Sequence, residues 1–241
     1  MDVKLEKDER IEDLQCEGLR IIQNKNLYTF TSDSVVLANF VKLKKSEIAV
    51  EIGAGSGVIS ILLTKKQPCK KIFGLEMQTD LFNMATKSVK LNDINNIFMY
   101  NDKVQNHKSY IENGSVDVVF SNPPYKREGS AELNENESRA IARHEKNLPL
   151  KDLVKSASDM LKFGGRFYVV YDADRCCELI HEMMLCKIEP KRMFFTENGK
   201  GKHILVVFEG VKGGKHGVSV LPNLITNDKD GNYIHELQSR R

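Results

Sequence analysis

Residues 48–63 read Ile-Ala-Val-Glu-Ile-Gly-Ala-Gly-Ser-Gly-Val-Ile-Ser-Ile-Leu-Leu, and this stretch decides the fold. Its first five residues predict a short buried strand, and the residues from Val58 onwards predict a helix. Glycines at alternate positions let the backbone come close to a ligand, and the new helix directs its unpaired N–H groups at it. A strand, a glycine loop and a helix in this order predict a nucleotide-type binding site.

The glycine loop also indicates which ligand it takes. A dinucleotide fingerprint needs glycine where this chain has Val58, which argues against NAD. The spacing, with Glu51 just before the loop, resembles instead motif I of the S-adenosylmethionine-dependent methyltransferases, whose loop packs against the amino-acid half of the cofactor. The candidate cofactor-binding residues here are therefore Glu51, Gly53, Gly55 and Gly57. A purely structural glycine turn is the alternative.

Acidic residues follow the next two predicted strands. Glu76 ends the strand that begins at Lys71, and it lies 19 residues after Gly57, close to the spacing at which an acid meets ribose hydroxyls. Asp102 follows the strand Ile97–Tyr100. Related enzymes place an acid or amide there against the adenine amino group of the cofactor. A surface acid at Glu76 and an ordinary Asn-Asp turn at Asp102 are the alternatives.

The tetrapeptide Asn122-Pro123-Pro124-Tyr125 follows the apolar run 116–121 and supplies candidate catalytic groups, and Asn122 is also a candidate cofactor contact. The Asn122 side-chain oxygen and the Pro123 carbonyl can each accept one N–H of a planar amino group as positive charge develops on its nitrogen. Two prolines hold these acceptors rigid. Tyr125 offers a ring on which a planar base can stack. A tight turn without function is the alternative.

The rest of the chain predicts an α/β fold with strands near 48, 71, 97, 116 and 165 and helices over 33–42, 57–66, 79–91, 150–162 and 174–187. Such alternation implies a largely parallel sheet with its ligand site beyond the carboxyl ends of the strands. The methyltransferase resemblance makes this a Rossmann-like class I fold with seven strands, helices on both faces and an antiparallel last strand. Gly164-Gly165 predicts a helix stop.

Two units are expected. Residues 1–44 form an N-terminal extension over the cofactor site, with strands over 18–23 and 27–30 around an Asn-Lys-Asn turn and a helix that opens near Asp33, a further candidate cofactor contact. Residues 45–241 form the catalytic domain, and Asp228–Tyr233 predicts a terminal hairpin.

Composition limits the function classes. The chain has 241 residues, a net charge of +3 and 41% hydrophobic residues. It shows no apolar run long enough for a membrane span and no signal-peptide pattern, so we expect a soluble, cytoplasmic protein and most simply a monomer. Its five cysteines have no metal-ligand spacing, so neither a disulfide framework nor a metal site is expected.

Basic residues suggest contacts with a nucleic acid. Residues 187–216 hold seven Lys and Arg against three Glu, which is a surplus of +4. A solvated basic face is the alternative. Arg139 and Arg143 lie four apart in the polar stretch 126–147, so on a helix they would share a face. The candidate RNA-binding residues are Lys126, Arg127, Arg139, Arg143, Lys191, Arg192, Lys200 and Lys202.

Five blocks together resemble the bacterial tRNA(Val) adenine-N6 methyltransferase family, over nearly the whole chain: 30–34, 51–57, 122–125, 140–145 and 213–215. The resemblance implies S-adenosyl-L-methionine as cofactor and tRNA as partner, with methylation of adenine 37 beside the anticodon. It also implies that this base flips into the pocket at Asn122–Tyr125.

Two other functions stay open. A glutamine amide offers the same planar nitrogen, so a protein glutamine N5-methyltransferase of release factors is the competing enzyme. Those enzymes carry a larger helical N-terminal domain than the roughly 47 residues before the first core strand here, and they have less use for a basic segment 187–216. A non-catalytic RNA-binding module that keeps the fold is the third possibility.

Overall fold

The computed structural model describes residues 3–124 and 148–227. Their strands are β1 (Glu9–Asp13), β2 (Arg20–Asn24), β3 (Ile48–Ile52), β4 (Lys71–Leu75), β5 (Ile97–Tyr100), β6 (Val116–Ser121), β7 (Leu161–Asp172), β8 (Ile188–Glu197), β9 (His203–Lys212), β10 (Ser219–Val220) and β11 (Leu224–Ile225). Their α-helices are α1 (Ser32–Phe40), α2 (Val58–Lys66), α3 (Thr79–Leu91), α4 (Leu150–Met160) and α5 (Cys176–Leu185). Short 3-10 helices cover Val104–Ser109 and Ala173–Arg175.

One large sheet organises the fold, in the strand order β10-β8-β9-β7-β6-β3-β4-β5, with β11 also paired to β8. The pairs from β7 to β5 are parallel, and β9 runs antiparallel between β7 and β8. The predicted Rossmann-like α/β fold with an antiparallel last strand is therefore confirmed. The two-residue strands β10 and β11 lengthen the expected seven-stranded sheet to nine.

Helices cover both faces of the sheet, as predicted. Along β3 the side chains alternate, so that Ala49 packs in the hydrophobic cluster beneath α1 and α2 while Val50 packs in the cluster beneath α4 and α5. Near-continuous apolar strands such as Val116–Ser121 are what a parallel sheet buried on both faces requires.

The sheet brings the glycine loop and Asn122 together. Strands β3 and β6 are parallel neighbours, and Ile52 pairs with Ser121. The Ser121 hydroxyl donates a 2.7 Å hydrogen bond to the carbonyl of Ile52. Gly53 and Asn122 therefore leave adjacent strands at the same edge, which we call the carboxyl edge.

The N-terminal hairpin differs from the prediction. Strand β2 pairs antiparallel with β1, not with residues 27–30, which form no strand. Positive φ angles at Gln15, Glu17 and Gly18 make the turn between β1 and β2. The hairpin packs on α3, where Ser88 accepts a 3.0 Å hydrogen bond from the Ile22 amide.

Two further boundaries need correction or lie outside the described residues. Helix α4 ends at Met160, because Leu161 adopts an extended backbone and begins β7. Gly164 (φ +78°) thus lies in a strand, at an irregularity in the β6–β7 pairing, and does not stop a helix. The predicted hairpin Asp228–Tyr233 lies outside the described residues. Within 3–124 and 148–227, none of the helices could span a bilayer.

Candidate active site

The glycine loop forms the floor of the site. Gly53, Gly55 and Gly57 have φ angles of +69°, +56° and +83°, which side chains with a Cβ rarely adopt. The amide of Gly53 donates to the Leu75 carbonyl of β4 at 2.9 Å, so the loop is tied to the neighbouring strand. A Cβ at Gly55 would meet no protein atom within 4 Å, so the loop presents bare backbone to open space.

Glu76 joins this loop to the end of β4. One carboxylate oxygen accepts the Gly55 amide at 2.8 Å, and the other accepts the Gln78 amide at 2.8 Å. The side chain is only 4% exposed, and this burial raises the pKa of its carboxyl group. Each carboxylate oxygen has a second lone pair, so Glu76 can still accept a hydroxyl from a ligand.

Glu51 lies beneath the loop, away from the open side. It is 1% exposed, and its Oε2 accepts hydrogen bonds from the amide and the hydroxyl of Ser60 in the first turn of α2. Burial raises the pKa of Glu51 to about 8. This position supports the loop from below, and direct cofactor contact by Glu51 stays a prediction.

Asp102 lies across a cleft from the loop. The cleft runs over the carboxyl ends of β3, β4 and β5, and its lining residues are Ile52, Gly53, Leu75, Glu76, Met77, Asp102, Lys103, Val104 and Leu148. The Asp102 carboxylate accepts hydrogen bonds from the Asn106 side chain and the Lys103 amide, both at 2.7 Å. These bonds lower the pKa of Asp102, so it is a fixed anion at neutral pH.

Asn122 is held by a residue that the sequence did not single out as a candidate. Its Nδ2 donates a 3.0 Å hydrogen bond to Oγ of Ser34, which lies on α1 and is 3% exposed. None of the described residues donates to Oδ1 of Asn122. The amide is therefore fixed through its nitrogen, and its oxygen remains an acceptor. Because Ser34 lies 88 positions away, only the packing of α1 reveals this pairing.

The other candidates at this edge fall into two groups. Pro123 is buried and Pro124 half-buried directly after β6. Asp33 is half-buried in the first turn of α1, where it accepts a hydrogen bond from the Ser32 hydroxyl at 3.3 Å. The remaining predicted residues lie outside the described residues: Tyr125, Lys126, Arg127, Arg139 and Arg143.

The structure separates the basic residues of segment 187–216. Arg192 forms a 2.8 Å ion pair with Glu209 and lies over the Phe40 ring, and the Lys191 ammonium donates to the Lys215 carbonyl. Lys200 and Lys202 instead lie exposed in or beside the turn between β8 and β9. In the described residues, no group of three or more His, Cys, Asp or Glu side chains could hold a metal ion.

Comparison with known proteins gives relatives by sequence. A tRNA1(Val) (adenine(37)-N6)-methyltransferase of Dyadobacter fermentans is 24% identical over 204 residues, or 83% of this chain and 82% of that protein. One with the same name from Proteus mirabilis is 24% identical over 86% of this chain and 83% of that protein. A putative protein N5-glutamine methyltransferase of Methanocaldococcus jannaschii is 34% identical over 46% of this chain and 54% of that protein.

Solved structures share the fold. A predicted O-methyltransferase from Agrobacterium tumefaciens superposes with a TM-score of 0.68 at 14% identity, covering 86% of this chain and 95% of that chain. M. jannaschii TYW2 in complex with AdoMet gives a TM-score of 0.58 at 13% identity, covering 87% and 89% of the two chains.

The family model described as "Methyltransferase small domain" matches residues 29–189. This chain belongs to the methyltransferase small domain family and is a methyltransferase.

Proposed function

We propose that this chain methylates N6 of an adenine in the anticodon loop of a tRNA, at position 37 of tRNA(Val), in the cytoplasm. The observation that carries the proposal is the amide of Asn122, held by Ser34 at the edge where the glycine loop opens. Relatives named as tRNA1(Val) (adenine(37)-N6)-methyltransferases, which match most of this chain, support the choice of substrate.

The cofactor is S-adenosyl-L-methionine, and the residues of the cleft fit it. Glu76 and Asp102 offer carboxylate oxygens for ribose hydroxyls and an adenine amino group, and Gly55 leaves backbone without a side chain where the amino-acid half would lie. When bound, this cofactor supplies an electrophilic methyl group. The hydrogen bond from the Gly55 amide to Glu76 ties the loop to the end of β4.

Asn122 and Pro123 carry the chemistry. The N6 lone pair of adenine is conjugated with the ring, and it becomes nucleophilic as the nitrogen moves towards tetrahedral geometry. The Asn122 Oδ1 and the Pro123 carbonyl each accept a hydrogen bond from one N6–H group and stabilise the positive charge that develops on the nitrogen. Tyr125 stacks the base in this proposal, and stacking of this kind contributes about 1–3 kcal/mol.

A protein glutamine N5-methyltransferase is the second candidate, because the M. jannaschii relative with that name is 34% identical over 113 residues. Its match covers less than half of this chain, whereas the tRNA-methyltransferase relatives match most of it. The exposed Lys200 and Lys202 in or beside the turn between β8 and β9 also favour a polyanionic substrate.

Labelled methyl transfer tests the proposal. The purified protein is given labelled S-adenosyl-L-methionine with either total tRNA from a strain that lacks the gene or release factor, and modified nucleosides are identified by mass spectrometry. We expect N6-methyladenosine in one tRNA. Label in release factor alone would transfer the assignment to glutamine, and cofactor binding without transfer to either would favour the non-catalytic RNA-binding module.

Asn122→Ala then tests the catalytic assignment. Losing one oriented acceptor of developing charge costs on the order of a hundredfold or more in kcat, while cofactor affinity stays unchanged. The matched control is Asn96→Ala, because Asn96 is also half-buried and hydrogen-bonded but lies before β5, at the opposite edge of the sheet. Turnover of the Asn122 variant within a fewfold of wild type would refute the assignment.

A further inference from the structure

The turn between β8 and β9, residues 198–202, lies on the carboxyl edge with Asn122. Strand β9 is antiparallel to both β7 and β8, so β8 runs in the same direction as β7 and β6. Its carboxyl end at Glu197 therefore emerges on the same side as the carboxyl end of β6. We call residues 198–202 with the flanking Phe195 and His203 the basic turn.

The basic turn rises beyond the level of Asn122. Two strands separate β8 from β6, so the lateral distance is three strand spacings, about 14 Å. The register places Ser121 beside Val169, Val169 beside Phe208 and Phe208 beside Met193. Glu197 lies four residues beyond Met193 and Asn122 one residue beyond Ser121, so the offset along the strands is about 10 Å. Glu197, where the turn begins, therefore lies about 17 Å from Asn122.

Two lysines occupy the turn in a fixed backbone. The Asn198 side-chain oxygen accepts the amides of Lys200 (3.1 Å) and Lys202 (3.0 Å), and Gly201 between them has a φ of +79°. Both lysines are exposed, and neither forms an ion pair with an acidic side chain in residues 3–124 or 148–227. Because both side chains are exposed, their ammonium groups can contact an external anion.

Beside the lysines lies a stacked pair of rings. Phe195 and His203 have centroids 4.8 Å apart and planes 15° apart. The Nδ2 of Asn223 lies 2.9 Å from Nε2 of His203, which fixes the imidazole in its plane, and 46% of the His203 side chain is exposed. A rigid, exposed ring next to two cations is the combination that binds an unpaired nucleotide, by stacking and by phosphate contact.

We propose that the basic turn is a second RNA-binding element, which grips phosphates of the substrate with Lys200 and Lys202 and stacks an unpaired base on His203. This inference rests on the proposed function, because it assumes an RNA substrate. The proposal leaves out Lys191 and Arg192, which the sequence also predicts to bind RNA. Lys191 donates a hydrogen bond to the Lys215 carbonyl and Arg192 forms an ion pair with Glu209.

The charge is tested with Lys200→Gln/Lys202→Gln, measured as affinity for tRNA and for an anticodon stem-loop RNA across a series of salt concentrations. Two single-strand phosphate contacts account for a slope of about 1.4 in log affinity against log salt, so we expect the slope to fall by about that amount and affinity to fall roughly tenfold. The control is Lys44→Gln/Lys45→Gln, which removes the same charge from an exposed pair at the opposite edge, before β3.

The ring is tested with His203→Ala and His203→Phe. We expect the alanine variant to lose RNA affinity and the phenylalanine variant, which keeps a stacking face, to recover most of it. Unchanged affinity and salt slope in the lysine variant, with wild-type protein still methylating tRNA, would overturn the inference and leave the proposed function standing. Absence of any RNA methylation by wild type would instead refute the proposed function itself.

Discussion

Replacement of Ser34 by alanine tests whether the amide of Asn122 must be held in place. The variant removes the acceptor of the 3.0 Å hydrogen bond from Asn122 Nδ2 without changing any proposed contact with substrate. Losing a neutral hydrogen bond costs about 0.5–1.5 kcal/mol, and a donor left without a partner raises the cost to about 1–3 kcal/mol. Because Asn122 is half-buried and water can reach part of it, we expect about 1–2 kcal/mol, or roughly 5- to 30-fold in kcat.

The assay is steady-state methyl transfer at saturating tRNA and cofactor, which gives kcat, with cofactor affinity measured separately. The matched control is Ser88→Ala, which removes an equally buried, hydrogen-bonded serine hydroxyl from α3 and should lower stability without lowering kcat. The decisive comparison is Ser34→Ala in an Asn122→Ala background, where its effect on kcat should disappear. If the Ser34 effect is below twofold, or if it persists undiminished without Asn122, Ser34 does not act by positioning this amide.

Two further predictions concern the loop. Because the pKa of Glu51 is raised to about 8, the folded protein binds the proton of Glu51 more tightly than the unfolded chain does. The free energy of unfolding should therefore fall by up to about 4–5 kcal/mol as the pH rises from about 4.5 to about 8. Urea unfolding of wild type and Glu51→Gln at about pH 5 and about pH 9 measures this difference. The free energy of unfolding of the variant should depend much less on pH, and an equal dependence in both proteins would contradict a raised pKa of Glu51. Gly55→Ala should cost about 1–2 kcal/mol of stability because of its φ of +56° and should weaken cofactor binding at least tenfold, since the added methyl projects into the open space beside the loop where the cofactor is proposed to lie. Gly114→Ala, at φ +65° with equally open space but before β6, should lose similar stability and keep cofactor affinity in calorimetry.

The features that the sequence predicted correctly are those that depend on patterns among neighbouring residues. The 19 residues Ile48–Lys66 contain an apolar run, glycines at alternate positions and a second apolar run, which predict β3, the loop and α2 in turn. Strand β6 likewise runs directly into Asn122. Parallel pairing then brings the two to one edge, because strand direction follows from the βαβ order.

The features that it missed depend on distant partners. Strand β1 reads Glu-Arg-Ile-Glu-Asp, with one apolar residue, and no local pattern predicts a strand there. Its position is stabilised from outside, by the Lys87 ammonium of α3 at 3.0 Å from Glu9. Likewise, nothing near Ser34 marks it as the partner of Asn122, since the contact exists only once α1 has packed.

The hairpin and α1 bear on the order in which this protein folds during synthesis. Residues 1–44 leave the ribosome before the strands and helices that follow them, yet Ile22 is hydrogen-bonded to Ser88, 66 positions later, and Ser34 to Asn122, 88 positions later. Contacts of such long range form slowly and only after the intervening chain has been made. The extension must therefore wait, with Ile21 and Ile22 (both 0% exposed when folded) uncovered, until most of the sheet exists. A nascent chain that ends before α3 would display Ile22 to chaperones, because Leu81 and Met84 of α3 form the hydrophobic cluster in which Ile22 is buried.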